Sequence, residues 1–113
     1  MRLRTDIWVS ALVRRAENAG ALVTIAKKGA LESGTVFLII DDGEGASDLY
    51  GPAPQSVFET DRPSDRIFIR LAATAALADL EERLSSERQF DPDLWIVEIQ
   101  DKQRRAFVDL TDE

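Results

Sequence analysis

Thr35-Val36-Phe37-Leu38-Ile39-Ile40 decides the fold. The run is almost wholly apolar and rich in β-branched side chains. A strand with one wet face alternates apolar and polar residues, so an unbroken run reads as a central strand buried on both faces. Turn residues bracket it. Gly29 to Gly34 forms a turn before it, and Asp41-Asp42-Gly43-Glu44-Gly45 forms a hairpin loop after it.

Upstream, residues 21–28 read as a strand with Val23 and Ile25 on one face. Residues 6–19 read as a helix, because Ile7, Trp8, Ala11, Leu12, Ala16 and Ala19 recur at spacings of three and four. Thr5 is its expected N-cap and Gly20 its C′ residue. Arg15 projects from the apolar face of this helix and Arg14 from the polar side. Downstream, Leu49-Tyr50 lies on a short strand stopped by Gly51-Pro52. Gln55 to Glu59 is read as one helical turn, and Arg66 to Leu71 as a strand. Ala73 to Gln89 reads as a second helix with an apolar stripe of Ala73, Leu77, Leu80 and Leu84. Pro92 ends it. Leu94 to Gln100 is a strand with Trp95, Val97 and Ile99 on one face, and Ala106 to Leu110 a last, edge strand. The order α-β-β-β-β-α-β-β predicts one α+β domain over residues 1–113. Short turns between consecutive strands predict a single antiparallel sheet of five or six strands, with both helices packed on one face.

Composition narrows the chemistry. The 113 residues include no Cys and no His. That excludes disulfides, thiolate nucleophiles, a His base, a Ser-His-Asp triad and zinc sites built on Cys or His. The net charge is −7, divided unevenly: residues 1–28 carry +4 and residues 29–113 carry −11. So acidic a chain repels phosphate, which argues against nucleic-acid binding. Its dipolar character suits a meeting with another copy. No apolar stretch approaches the length of a membrane span, and no signal peptide is read at the N-terminus. A cytoplasmic protein with no membrane contact and no cofactor is expected.

Three segments carry a resemblance: Ile7-Trp8-Val9-Ser10-Ala11, Leu49-Tyr50-Gly51-Pro52-Ala53-Pro54 and Phe90-Asp91-Pro92-Asp93-Leu94-Trp95-Ile96-Val97-Glu98. Together they resemble the small bacterial family called domain of unknown function 1491, over nearly the whole chain. The resemblance implies a single-domain cytoplasmic protein and no particular activity.

Several side chains are candidates for function. Asp91, Asp93 and Glu98 offer the oxygen ligands that Mg²⁺, Mn²⁺ or Ca²⁺ prefer. Against this, Asp91 and Asp93 flank a proline, where aspartates commonly bond local backbone N–H groups. Asp41, Asp42, Glu44 and Asp48 do not match a calcium loop and read as a solvated hairpin tip. Tyr50 with Pro52 and Pro54 offers a flat patch for a partner. Trp8 and Trp95 read as core, or as interface anchors if exposed. Arg14 and Arg15 are candidate binding cations. The leading expectation is a non-enzymatic interaction module that forms a homodimer through an edge strand near Phe107 and Val108. One alternative is a carboxylate-dependent metal-binding protein or enzyme at Asp91, Asp93 and Glu98. Another is a small-anion binder anchored by Arg15.

Overall fold

The computed structural model describes residues 4–54 and 66–111. The eight elements follow the order read from the sequence: α1 (Thr5–Asn18), β1 (Leu22–Lys27), β2 (Val36–Asp41), β3 (Ser47–Pro52), β4 (Ile67–Ala75), α2 (Leu77–Phe90), β5 (Trp95–Gln100) and β6 (Asp109–Thr111). The helical turn expected at Gln55 to Glu59 lies outside the described residues. Among the described residues, no helix is long and apolar enough to cross a membrane.

β2 behaves as its composition demands, with Val36 to Ile40 all buried. Val36, Leu38 and Ile40 pack with Val9, Leu12 and Ala16 of α1. Phe37 and Ile39 pack on the other side with Leu80 and Leu84 of α2. The helices therefore cover opposite faces of the sheet, which corrects the expectation of both on one face. The reason lies in β2 itself: a strand apolar on both sides needs an apolar layer on each.

The sheet runs β1-β5-β2-β3-β4-β6 and is mixed, not antiparallel throughout. β2 pairs with β5 and β4 with β6 in parallel, while β1–β5, β2–β3 and β3–β4 are antiparallel. Only a short loop forces neighbouring strands to be antiparallel. The chain instead leaves β4 through α2 and returns as β5 between β1 and β2, so the helical crossover permits a parallel partner.

Two boundaries moved for local reasons. Residues 72–75 are rich in alanine, a strong helix former, yet they extend β4. Their pairing with Ser47 and Leu49 of β3 is interrupted by a register shift. Within that shift Thr74 takes a φ of 53°, held by its N–H bond to the Asp48 carboxylate at 2.9 Å. At the other end, Ala106 to Val108 is not strand; Phe107 has a φ of 62° and packs on the α1 side of the core with Val108. The Gly20 expectation is met. Gly20 has a φ of 95°, and the N–H groups of Gly20 and Ala21 donate to the carbonyls of Glu17 and Ala16, closing α1 with a Schellman motif.

Leu12 and Leu84 are each almost fully buried, on opposite sides of the sheet. Leu12→Ala and Leu84→Ala should each cost about 2–5 kcal/mol in urea denaturation. The costs should add in the double variant, because the sheet separates the two sites.

Candidate functional site: the cleft beside the edge strand

β1 is an outer strand of the sheet among the described residues. It is poorly covered: Leu22 is 66 % and Ile25 40 % exposed. α1 runs back alongside it, because the two are joined by the tight turn at Gly20. Between them lies a cleft of about 840 Å³. Val9, Val13, Ile25, Leu31 and Trp95 give it an apolar floor, and Asp6, Ser10, Arg14, Glu17, Asn18 and Lys28 form its polar rim.

The loop between β1 and β2 shapes one end of this cleft, and the Phe90–Glu98 segment holds that loop. The indole Nε1 of Trp95 donates to the Ala30 carbonyl at 2.8 Å. The Ala30 N–H donates to the Asp93 carbonyl at 2.9 Å. Lys27 Nζ donates to the carbonyls of Pro92 and Leu94, at 2.6 and 3.0 Å. Gly29 sits so close to the Asp93 and Leu94 carbonyls that a Cβ there would collide with backbone. Gly34 is also tight; a Cβ would lie 2.6 Å from the Asp93 carbonyl oxygen and 2.8 Å from Trp95 Nε1. The Asp6 N–H then ties α1 to the Leu31 carbonyl at 3.0 Å.

The residues singled out from the sequence are scattered by the fold. Arg14 and Trp95 share the cleft. Arg15 does not reach it: its guanidinium donates twice to the Phe107 carbonyl, at 3.2 and 2.7 Å. Tyr50 is only 5 % exposed and belongs to the α1-side core. It therefore adds nothing to a surface patch, although Pro52 is exposed. The glycine between them is fixed by packing, since a Cβ on Gly51 would lie 2.8 Å from Leu71 and 2.9 Å from Phe37. Trp8 stacks on Phe68 at 5.5 Å, with the Arg66 guanidinium over its ring.

The acidic candidates also separate. The Asp91 carboxylate accepts the Asp93 N–H at 3.0 Å, which is local turn chemistry. Glu98 leaves β5 on the face opposite Trp95 and Val97. Burial pushes its carboxyl above the ordinary value of 4.5, and the charges of Glu81 and Asp41 push the same way. Among the described residues, no three acidic groups are placed to hold a metal ion.

Sequence reading missed two arginine–carboxylate bolts. Asp48, assigned to a wet hairpin tip, is 4 % exposed and pairs with Arg104 at 3.3 Å. Asp101 accepts the Arg105 backbone N–H at 2.8 Å and its guanidinium at 2.8 and 3.0 Å. Arg105 reaches on to the Ala19 carbonyl at 3.2 Å, clasping the end of α1. The Arg105 hydrogen bond holds the Asp101 carboxyl below its ordinary 3.8 despite opposing burial. The acid-x-x-x-Arg spacing was the available signal; it was obscured because the segment is a turn and not a helix.

Two pH responses follow. Asp101 has a lowered folded pKa, so its stabilisation is present above the unfolded value and is lost as pH falls through the folded one. Asp101→Asn should be less stable than wild type at neutral pH, with a shallower loss of urea midpoint in acid. Glu98 has a raised folded pKa, so wild type loses stability as pH rises above the unfolded value. Glu98→Gln should be more stable than wild type at neutral pH, and the gain should vanish in acid.

The comparisons agree with this architecture. The family model described as "Protein of unknown function (DUF1491)" matches residues 3–109. A solution structure of protein Atu0922 from A. tumefaciens is 38 % identical, with a TM-score of 0.85 over 100 % of this chain and 98 % of that one. A crystal structure of a DUF1491 family protein from Caulobacter crescentus CB15 is 34 % identical, with a TM-score of 0.80 over 98 % of this chain and 99 % of that one. None of the curated proteins matches. With the family model spanning nearly the whole domain, and solved members sharing its fold, the chain belongs to the DUF1491 family.

Proposed function

We propose that this protein is a non-enzymatic interaction module that associates with a second copy of itself, using the β1 edge and the adjoining cleft. One observation carries the reading. The regular part of β1, Leu22-Val23-Thr24-Ile25, has no charge and no proline, lies at a sheet edge, and leaves Leu22 and Ile25 in water. Monomeric proteins normally blunt such an edge with charges, proline or a covering element. Here the edge adjoins an apolar cleft, the arrangement that receives an added strand in β-augmentation.

The geometry favours this surface over the one anticipated near Phe107 and Val108. Those residues pack against the α1 side of the core, and the strand beyond them is only Asp109–Thr111. Nor does it favour the rival readings. Asp91 is engaged in a turn, Glu98 faces the other side of the sheet, and Arg15 is bonded to a main-chain carbonyl.

Sedimentation equilibrium at tens of micromolar should show a reversible dimer. Ile25→Asp puts a carboxylate on the apolar edge and should weaken association by at least about tenfold without changing the fold. A strict monomer across that range overturns the reading.

A further inference from the structure

The open β1 edge, the charges left on its flanks and the register of its alternation together specify how two copies would meet. We infer an isologous dimer in which β1 pairs antiparallel with the partner's β1 about a two-fold axis at Thr24. This rests on the reading that the chain self-associates through β1.

The register follows from side-chain alternation. In β1, Val23 and Ile25 pair with Ile99 and Val97 of β5, whose side chains face α1. Leu22 and Thr24 pair with Gln100 and Glu98 and face the other way. Residues directly opposite each other across a strand pair must share a face. A two-fold axis perpendicular to the sheet preserves the faces, so it has to pass through a residue and not between two. The ladder is regular only up to Ile25, because the register shifts between Ile25 and Lys27. An axis at Val23 would set Ile25 against the partner's Ala21, outside the strand, whereas an axis at Thr24 keeps both α1-facing residues, Val23 and Ile25, opposed within the regular portion. It sets Thr24 against its own copy and each Val23 against the partner's Ile25. The latter pairs fall on the α1 side, where the two clefts then face each other across a common apolar floor.

Charge placement favours the same antiparallel direction. Lys28 sits at the end of the cleft where the Asp6 N–H meets the Leu31 carbonyl, and Glu17 at the opposite end beside the Gly20 turn. Asp6 is already paired with Arg4 at 3.2 Å. Neither Lys28 nor Glu17 has an ion-pair partner among the described residues. Antiparallel pairing about Thr24 lays the Lys28 end of one copy over the Glu17 end of the other, twice by symmetry. The apolar centre supplies association, and the two charge pairs supply register and direction.

The native chain has no cysteine, so a single introduced thiol reports on proximity. Opposed strand residues have Cα atoms about 4.5–5.5 Å apart, within disulfide range. Under mild oxidation Thr24→Cys should form a covalent dimer readily. Leu110→Cys, at another exposed position on the far edge strand, should not. Lys28→Glu and Glu17→Lys should each raise the dimer Kd by roughly tenfold, because each puts like charges together twice; the double reversal should restore it. A dimer in which Thr24→Cys cross-links no faster than Leu110→Cys, or in which the double reversal fails to rescue, overturns this interface while leaving self-association in place. A wild-type chain that stays monomeric overturns both.

Discussion

A strand that is apolar on both sides must be covered on both sides, and Val36 to Ile40 imposes that condition on this molecule. Among the described residues two helices of 14 residues each are there to meet it. An α-helix is about 10 Å across and strands lie about 4.8 Å apart, so one helix per face shields two or three strands. The sheet has six. Once α1 and α2 are committed to the centre, the outer strands are left to other devices. The 101–108 segment crosses from β5 to β6 on the α1 side of the sheet, clasped by Arg105 between Asp101 and Ala19 and by Arg15 on the Phe107 carbonyl. On the β1 side nothing comparable covers the strand among the described residues. The exposed Leu22 and Ile25, and the cleft under α1, follow from how little helix the described residues set against this sheet.

The Phe90–Glu98 segment takes its place in the same account. Its carboxylates drew attention as possible ligands, but its carbonyl groups do the structural work. Those of Pro92, Asp93 and Leu94 receive Lys27 and Ala30, and Trp95 fastens the loop from above. Gly29 and Gly34 are there because no larger residue fits against that backbone. A segment that looks chemical in sequence thus shapes one end of a cleft.

What could be read in the sequence was local. The order of elements, the Gly20 cap and the shared face of Trp95, Val97 and Ile99 all follow from spacing, and spacing survives folding. Partner choice between distant strands does not appear in spacing, so β5 entering between β1 and β2 was invisible. The double burial of β2 was legible, yet its consequence, a helix on each face, was not drawn from it. Ala73 to Ala75 read as the start of the second helix and became strand, because pairing with β3 and the Asp48 carboxylate hold them in β4. Of the candidate site, Arg14 and Trp95 were found. The cleft itself was not, since its floor is assembled from α1, β1, a loop and β5, four segments with no common pattern along the chain.

Amide hydrogen exchange across a dilution series tests the central claim most directly. If β1 is the surface by which this protein meets its own copy, exchange at Leu22 to Ile25 should slow as concentration rises, while Asp109 to Thr111 stays unchanged. Concentration-independent exchange in β1, or protection appearing at β6 instead, would contradict the account.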